Sequence, residues 1–526
     1  MTPRNTFGII ALILLFGLAL RIPYFFHTMQ DIDEGSHAAV AAILMDGGLP
    51  YLNAVNNKPP GIFYIYLATF YLFGKFNMMA VHLVAFFWTL ATGILLSLLA
   101  KKLGGARAGL FALLFYLTFT TALYPKMIAA NSEIFMALPY SLAALLLWHA
   151  CIREKGYLFF LSGFMSGLAL LIKQVAGVEV VAVSAYLLFV IPLLSGRRRI
   201  VPSVAACVQF GAGFVLPVGT VACLFYKYGI LADQIFWNIT YPRRYISLGA
   251  SNQGFVSQIL AEFVPFVLST IILWALSGIW MKHVIADLRE RGKSFASHFS
   301  LFLILWLAAS MYAAFIGNRM YGHYFIQILP SLSVMAAIAA GKLVDERNGL
   351  RGRYRTPVIL ALTVLPGIVF TAMAISYEAT TDTYGGMRPD FRPATEYIKA
   401  HTGPDDKIFV WGWFTPIYVY SQRTPSTRFV FTSMHTGYRQ GNDPNEEDRA
   451  DRTWLAVPEA WPMLEEDLKR NPPELIVDTS PGNYHDFGRY PLKNYPILRG
   501  FVEKNCRLEK QVGGTDIYRC GAVAGQ

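Results

Sequence analysis

The chain consists mainly of long apolar runs separated by short polar stretches. A helix that crosses a bilayer needs about 20 mostly apolar residues, and about eleven runs meet this criterion. The apolar segment 61–74 is too short to cross and is interpreted as an interfacial or re-entrant helix. The spans are predicted near residues 5–22, 78–100, 108–124, 133–151, 157–173, 175–194, 201–226, 258–281, 298–316, 324–343 and 356–377.

The pattern changes after residue 377, where short apolar segments alternate with polar and proline-containing stretches. Such alternation predicts a small α/β layer structure. We therefore expect a polytopic α-helical membrane module over residues 1–377, with a long first external loop at 23–77, and a soluble α/β domain over 378–526. Strands are predicted at 407–411, 427–431, 474–478 and as a pair within 506–520, and helices at 392–401, 460–470 and 492–504.

Composition supports a membrane protein. Of the 526 residues, 54% are hydrophobic and 15% are charged, whereas a soluble domain carries about 25% charged residues. The net charge of +11 comes from basic clusters between apolar runs, such as residues 197–199, which argues against a nucleic-acid partner and for contact with membrane lipids. Because Lys and Arg favour the cytoplasmic side, this distribution predicts a cytoplasmic N-terminus and a C-terminal domain on the opposite face. We expect the membrane to be a bacterial inner membrane, in which case that domain is periplasmic.

Two of the five cysteines, Cys506 and Cys520, lie in the polar tail. If the tail is periplasmic, they could form a disulfide, and the alternative is a pair of free thiols.

The first external loop carries the most unusual polar residues. Asp31, Asp33 and Glu34 place three carboxylates within four residues, and the sequence Lys58-Pro59-Pro60 follows later in the same loop. Closely spaced carboxylates at a membrane surface suit a general base. The alternative is that they are only solvated acidic residues at the start of a helix.

Arg21 and Pro23 after the first span, then the pair Asp33-Glu34 and then Lys58-Pro59-Pro60, form an order that resembles the GT-C superfamily of membrane glycosyltransferases. It is most like the glycosyltransferase family 39-like group of protein O-mannosyltransferases and lipid A 4-amino-4-deoxy-L-arabinose transferases. The resemblance implies a GT-C fold with periplasmic interfacial helices. It also implies inverting transfer of a sugar from a polyprenyl-phosphate donor to a lipid A, glycan, glycolipid or protein acceptor on the periplasmic face.

By this resemblance, Asp33 is the general base, which accepts the proton of the acceptor hydroxyl, and Glu34 orients the acceptor or the sugar. Asp31 is the reserve candidate. Asp31 and Asp33 also form a D-x-D pattern that could hold a divalent cation, but the relatives work without metal, so no metal site and no cofactor are expected.

The leaving lipid phosphate needs positive charge and hydrogen-bond donors. Lys58 matches the lysine of the family and is the first candidate. The basic pair 243–244 could equally contact lipid headgroups by snorkelling. The further candidates, all in predicted external segments, are Arg243, Arg244, Arg319, Tyr321 and His323.

A second tier of residues is expected near the same cavity: His37, His82, Lys126, Asn131 and Glu133. Relatives often have an arginine where this chain has His82, which puts a donor contact at that position in doubt. Glu133 could instead stabilise only the N-terminus of its own helix.

Three other functions remain open. A transporter or flippase of lipid-linked sugars would place ionisable residues in mid-membrane, on broken helices and often in inverted repeats, whereas here the unusual charges lie in external loops. The others are an envelope polysaccharide polymerase or ligase and a non-catalytic assembly protein. Mannose, an amino-pentose, a uronic acid and galactose are all compatible with the residues, and the tail is expected to help select the acceptor.

Overall fold

The structure is a computed structural model. It describes residues 3–123, 126–195, 200–246, 252–290, 295–317, 320–345, 349–380, 389–438 and 456–521.

The part of the chain before residue 381 is helical. The first helices are α1 (Pro3–Ala19), α2 (Ile32–Met45), α3 (Pro60–Phe73), α4 (Met78–Phe119), α5 (Ser132–Arg153), α6 (Gly156–Ile172), α7 (Ala176–Ala185), α8 (Ile191–Ser195) and α9 (Ile200–Lys227). A π-helical turn, Tyr186–Val190, joins α7 to α8.

The helices continue with α10 (Leu231–Ile235), α11 (Tyr241–Ile246), α12 (Asn252–Gln258), α13 (Val264–Ser269), α14 (Ile271–Glu290), α15 (Phe295–Phe315), α16 (Leu329–Asp345) and α17 (Gly349–Thr380). Two further π-helical turns, Phe236–Thr240 and Ile259–Phe263, join α10 to α11 and α12 to α13. The segment Gly322–Ile328 is a 3-10 helix that leads into α16.

Helix α4 folds back on itself at Gly105, which has a φ of 84° inside the helical run. A Cβ atom on Gly93 would lie 3.0 Å from the side chain of Leu113, and one on Gly109 would lie 2.9 Å from the carbonyl oxygen of Ser97. These residues would be far apart on a straight helix, which rises about 1.5 Å per residue. The predicted spans 78–100 and 108–124 therefore form the two arms of a hairpin, and Gly105 supplies the left-handed backbone of its turn.

The chain is a multi-pass membrane protein. Among the described residues, eight helices are long and apolar enough to cross a membrane, and the α4 hairpin is counted as one of them. Its second arm and the shorter helices Asn5–Ala19 and Gly156–Ile172 account for the other predicted spans. Helix α3, at 14 residues, falls below the length of a span.

The predicted span 258–281 is wrong in its extent. The helical course breaks at Thr270, which has a φ of −115° and lies between α13 and α14. The Thr270 hydroxyl donates to the carbonyl of Phe266 at 2.6 Å. Serine and threonine side chains that bond to the preceding turn often bend helices, so the apolar run contains the end of one helix and the start of another.

The chain divides into two compact units. The first consists of Met1–Phe26, His82–Leu224 and Gln258–Ile375. The second consists of His27–Val81, Phe225–Ser257 and Ser376–Gln526, so the tail shares a unit with the first loop. The sequence-based boundary at 377/378 is a different division and stays a prediction.

Close helix contacts in the first unit depend on small residues. A Cβ on Gly163 of α6 would overlap the backbone carbonyl of Phe210 in α9, and one on Gly213 would overlap that of Phe160. The Ser162 hydroxyl donates to the carbonyl of Ala143 in α5 at 2.8 Å. Small residues at helix contacts are typical of membrane helix bundles.

The tail is a mixed α/β domain, as predicted. Its sheet has the order β2-β1-β3-β5-β4, in which β1 is parallel to β2 and β3, and β5 is antiparallel to β3 and β4. The strands are β1 (Lys407–Trp411), β2 (Thr424–Pro425), β3 (Leu475–Asp478), β4 (Cys506–Val512) and β5 (Thr515–Cys520), and the helices are α18 (Arg392–His401), α19 (Pro416–Ser421), α20 (Ser433–Thr436), α21 (Ala460–Arg470) and α22 (Pro496–Asn505).

The strand predicted at 427–431 is wrong. Phe429 and Val430 are buried, which explains the apolar pattern, but the backbone of this segment bonds to other partners. The carbonyl of Arg428 accepts from the amide of Val55 at 2.7 Å, and the amide of Arg428 donates to the Asp467 carboxylate at 2.8 Å. The two-residue strand β2 takes the edge position instead.

Cys506 and Cys520 face each other across the β4–β5 hairpin and are joined in a disulfide, with a sequence separation of 14 residues. A disulfide that closes a loop of about 15 residues stabilises a folded domain by about 3 kcal/mol, chiefly through the unfolded chain.

We predict that Cys506→Ser combined with Cys520→Ser lowers the thermal unfolding midpoint of the detergent-solubilised protein, and that reduction of the wild type has the same effect. Cys223 is an exposed free cysteine, so Cys223→Ser is the matched control and should leave the midpoint and its response to reductant unchanged. Equal midpoints for oxidised and reduced wild type would contradict the prediction.

Candidate active site

The three carboxylates at the start of α2 make different contacts. Asp31 caps the helix, and its side chain accepts from the amide of Asp33 at 3.3 Å. Glu34 is fully buried and accepts from the amide of Gln30 at 2.6 Å. Asp31 therefore binds an amide in the first turn of the helix, and Glu34 binds one in front of it, as acids at helix N-termini commonly do.

Asp33 lies between these two residues in sequence but is oriented differently. Its carboxylate lies 3.4 Å from the ammonium group of Lys58, and the side chains are 24% and 15% exposed. Asp33 and Lys58 are the two residues for which the family resemblance predicts the principal chemical roles. The second unit brings them together as an ion pair that solvent still reaches.

The loop before Lys58 is fixed by buried polar groups. The Tyr51 hydroxyl donates to the carbonyl of Lys58 at 2.9 Å and lies 3.3 Å from Oδ1 of Asn238. The Asn56 side chain accepts from the amide of Lys58 at 3.1 Å. Burial raises the pKa of Tyr51 well above its ordinary value, so the hydroxyl stays protonated and remains a donor.

The two prolines after Lys58 fix the chain direction. Pro59 has an extended backbone, with φ −62° and ψ 160°, and Pro60 occupies the first turn of α3. Proline at the first helical position costs no hydrogen bond, and a residue before proline is restricted to extended conformations. Lys58 is thus fixed by its own backbone bonds on one side and by proline rings on the other.

His37 is one helical turn after Asp33 and is fully buried. Its ring lies 6.0 Å from that of Phe63 and 5.5 Å from that of Tyr66, both on α3. Its observed position is thus within the packing of α2 against α3.

A second charged cluster lies in the first unit. Glu133, in the first turn of α5, forms an ion pair with Lys173 at the end of α6, and the side chains are only 2% and 7% exposed. Nε2 of His323 lies 3.8 Å from the Glu133 carboxylate. The Lys173 ammonium lies 4.2 Å from the centre of the Tyr324 ring, a cation–π distance.

Glu133 therefore does more than stabilise the N-terminus of its own helix, because it carries the countercharge of a buried lysine. Tyr321, another predicted phosphate-site residue, stacks on His323 with ring centres 5.8 Å apart. These contacts join two of the predicted candidates, Glu133 and His323, with Lys173, whose role could not be assigned from the sequence.

Three further second-tier candidates lie in the first turns of a helix or in the segment just before one. Lys126 pairs with Glu262 at 2.6 Å, and His82 is buried in the first turns of α4. Asn131 is the buried N-cap residue of α5. Arg21, part of the motif that suggested the family, donates to the carbonyls of Gly17 and Leu117 at 3.1 and 3.0 Å, so in the first unit it joins α1 to α4.

The remaining arginine candidates are only partly described. Arg243 lies on α11 in the second unit and is exposed. The side chain of Arg244 and the whole of Arg319 lie outside the described residues.

The two carboxylates of the D-x-D pattern have different neighbours. The Asp31 carboxylate is engaged at the helix start, and the Asp33 carboxylate lies beside the Lys58 ammonium. In the part of the chain that the structure describes, no group of three or more His, Cys, Asp or Glu residues is arranged to hold a metal ion.

Several residues that build the two clusters were missed from the sequence. Tyr51 and Asn238 bring together loops that are far apart in sequence, and no local pattern indicates that contact. Glu179 is buried in α7 and accepts from the Ser310 hydroxyl at 2.8 Å. Its signal was present, because an acidic residue within an apolar membrane segment is a functional candidate by default.

Comparison with known proteins supports the resemblance. Residues 57–216 match the sequence profile of the family described as dolichyl-phosphate-mannose-protein mannosyltransferase, which is less than a third of the chain. The match includes Lys58 and Glu133 but begins after Asp33. No curated protein matches the sequence significantly.

Solved structures share the fold. ArnT from Cupriavidus metallidurans bound to undecaprenyl phosphate is 15% identical, with 99% of both chains covered and a TM-score of 0.58. An oligosaccharyltransferase from Archaeoglobus fulgidus, tethered with an acceptor peptide, is 11% identical, with 96% of this chain and 72% of that chain covered and a TM-score of 0.56. The predicted resemblance to GT-C membrane glycosyltransferases and the predicted fold class are confirmed.

The buried pair in the first unit generates a stability prediction. Glu133→Gln leaves the Lys173 charge buried without its carboxylate, which costs about 3–5 kcal/mol when one partner of a buried ion pair is removed. We expect a clear fall in the thermal midpoint in detergent, and partial recovery when Lys173→Met is added, because the second change removes the stranded charge.

Lys126→Met is the control, since Lys126 belongs to a pair in which it is 45% exposed and exposed pairs contribute about 0–1 kcal/mol. A Glu133→Gln midpoint equal to that of Lys126→Met would show that the buried pair does not stabilise the unit.

Proposed function

We propose that this protein is an inverting membrane glycosyltransferase that moves a sugar from a polyprenyl-phosphate donor to an acceptor hydroxyl on the periplasmic face. The observation that carries the proposal is the Asp33–Lys58 pair at 3.4 Å. It combines a carboxylate suited to take a proton with a cation suited to bind phosphate. The shared fold with ArnT, whose structure contains undecaprenyl phosphate, supports this donor class.

Asp33 is the general base. An acceptor hydroxyl attacks the anomeric carbon, its O–H bond breaks as the new C–O bond forms, and the proton passes to the Asp33 carboxylate. The bond from the anomeric carbon to the phosphate oxygen breaks on the opposite face, so the configuration inverts. Asp31 caps α2 and Glu34 is fully buried, whereas Asp33 combines a partly exposed side chain with a lysine neighbour.

Lys58 receives the phosphate. The leaving group gains negative charge as the bond breaks, and an ammonium group at this point stabilises it without donating a proton. Without donor, Lys58 is paired with Asp33. An arriving phosphate competes for the same ammonium group and draws it from the carboxylate, so donor binding prepares the base for the acceptor.

The acceptor class is proposed more broadly, as lipid A, another glycan, a glycolipid or a protein. The tail helps to select it, because tail residues bond directly to the segments that carry the site within the second unit. Val55 bonds to Arg428, and the Thr415 hydroxyl bonds to Ile32. Deletion of the tail would remove these bonds and so disturb the site together with acceptor selection. Point substitutions in the tail can test acceptor selection while the site stays intact.

Transport of lipid-linked sugar is the second candidate. The observation that favours it is the buried Glu133–Lys173 pair, together with Glu179 inside a membrane helix, since ionisable residues within membrane helices often line transport pathways. A flippase would move the donor across the bilayer without cleaving the sugar–phosphate bond, and the assay below distinguishes the two activities.

We predict that Asp33→Asn binds the donor but transfers sugar more slowly by a factor of about 10² to 10⁴, because loss of a general base has that effect. The protein is reconstituted in liposomes with undecaprenyl-phosphate mannose, 4-amino-4-deoxy-L-arabinose, galactose or uronic acid and an extract of envelope lipids and glycans. Release of undecaprenyl phosphate is measured.

The matched control is Asp46→Asn. Asp46 lies at the other end of α2 and pairs with Lys75 at 2.7 Å, so the control removes a comparable ion pair on the same helix and should leave transfer unchanged. Equal transfer by Asp33→Asn and wild type would remove Asp33 from the mechanism. Donor that crosses the bilayer without release of undecaprenyl phosphate would favour the flippase.

We predict that Lys58→Ala weakens donor binding by about 10-fold to 100-fold, which corresponds to the loss of one charge-assisted hydrogen bond. Lys58→Arg keeps the charge and should restore most of the affinity, and Lys75→Ala is the control. Binding is measured with radiolabelled undecaprenyl-phosphate sugars on the immobilised protein. Unchanged affinity in Lys58→Ala would rule out the phosphate role.

A further inference from the structure

The edge of the tail sheet at which β1 and β3 end contacts the start of α2. Strands β1 and β3 are parallel, so the segments that follow them leave the sheet at the same edge. In α/β sheets this edge usually carries the functional residues. Thr415 follows β1 and contacts α2 directly, and His485 follows β3.

Thr415 makes the direct contact. Its hydroxyl donates to the carbonyl of Ile32 at 3.1 Å, and Ile32 is the residue immediately before Asp33 in the first turn of α2. Thr415 also precedes α19, where a threonine hydroxyl commonly caps its own helix. Here the hydroxyl makes no capping bond to α19 and donates instead to the neighbouring helix α2.

The contact is close enough to require glycine on the facing helix. A Cβ on Gly35 would lie 2.5 Å from the Thr415 hydroxyl oxygen, 3.2 Å from the Thr415 Cβ and 2.7 Å from the Met29 side chain. Real Cβ atoms do not approach oxygen so closely, so an alanine would force the Thr415 hydroxyl and the Met29 side chain out of their present positions. Gly35 therefore lets α2 pack directly on the carboxyl edge of β1.

The segment after β3 has a strained backbone and contains a buried histidine, His485, whose pKa is lowered. Asn483, His485 and Asp486 all have left-handed backbones, with φ of 49°, 52° and 64°, a costly arrangement that often marks functional regions. Burial lowers the pKa of His485 to about 4, against the opposing effect of the charges of Asp31 and Asp486. The His485 ring lies 5.7 Å from that of Phe414, the residue before Thr415.

We propose that Thr415 is a positioning residue for Asp33: it fixes the first turn of α2 against the tail so that the carboxylate of the base points at the acceptor. This inference rests on the proposed function. Thr415 acts through the helix backbone and does not itself touch the reacting atoms. The tail thus contributes to the rate of transfer as well as to acceptor selection.

The test uses the full chain in liposomes with the undecaprenyl-phosphate sugar that the wild type consumes. Thr415→Val removes the hydroxyl and keeps the shape, and we expect kcat to fall by about 10-fold to 100-fold, as for small misplacements of a catalytic group. The KM for the donor should stay unchanged. Thr415→Ser keeps the hydroxyl and should restore most of the rate, and Gly35→Ala should lower kcat at least as much as Thr415→Val.

Thr395→Val is the matched control. Thr395 is equally buried, but its hydroxyl donates to Arg392 within α18 at 2.8 Å, so kcat should stay at the wild-type value. In an Asp33→Asn background, Thr415→Val should lower the residual rate by less than about twofold, because residues that act as a unit are not additive.

Two outcomes would overturn the positioning role and leave the proposed function intact: a wild-type kcat in Thr415→Val while Asp33→Asn is slowed as predicted, or the same loss from Thr415→Val in the wild-type and Asp33→Asn backgrounds. Equal kcat in Asp33→Asn and wild type would overturn the proposed function, and the inference with it. Equal binding of radiolabelled donor by Thr415→Val and wild type shows that the variant is folded.

Discussion

The ion pair between Asp33 and Lys58 is the contact on which the rest of the proposed site depends. Each side chain comes from the segment before or at the start of a helix, and each segment is fixed by its own backbone bonds. The side chains of Asp31 and Glu34 accept from backbone amides at the start of α2. Tyr51 and Asn56 bond to the backbone of Lys58, and two prolines restrict the chain that leads into α3. A carboxylate and an ammonium group 3.4 Å apart satisfy each other's charge, and both remain within reach of solvent and therefore of a substrate.

The Asp33–Lys58 and Glu133–Lys173 ion pairs differ in how far solvent reaches their side chains. The Asp33–Lys58 side chains are 24% and 15% exposed, whereas those of Glu133 and Lys173 are 2% and 7% exposed. A buried pair is costly to break because each charge would be left in a poorly solvated environment. A partly exposed pair can exchange one partner for a ligand anion at a much lower cost. Under the proposed function, the first pair is therefore the one that exchanges a partner for the donor phosphate, and the second pair is expected to stabilise its helices.

Much of the fold could be predicted from the sequence, because apolar runs reveal burial in a bilayer directly. Apolar runs led to wrong predictions of secondary structure at two places. The run at 427–431 is buried without joining the sheet, and the run at 258–281 contains a helix break at Thr270. The Asp33 and Lys58 candidates came from a local motif and lie together. Other contacts join segments that are far apart in the sequence, and they involve Tyr51, Asn238, Thr415 and Lys173. A single sequence carries no periodic signal for such contacts.

The most direct test of the central claim is azide rescue of Asp33→Ala, which needs no knowledge of the natural acceptor. Azide attacks without giving up a proton, so it does not need a general base. With the consumed undecaprenyl-phosphate sugar as donor, we predict that Asp33→Ala alone is slowed at least about 10²-fold and that added azide raises its release of undecaprenyl phosphate. The product should be a glycosyl azide of inverted configuration. Transfer by Asp33→Ala at the wild-type rate without azide, no rescue by azide in a variant that still binds donor, or a product of retained configuration would contradict the claim that Asp33 is the base of an inverting transfer.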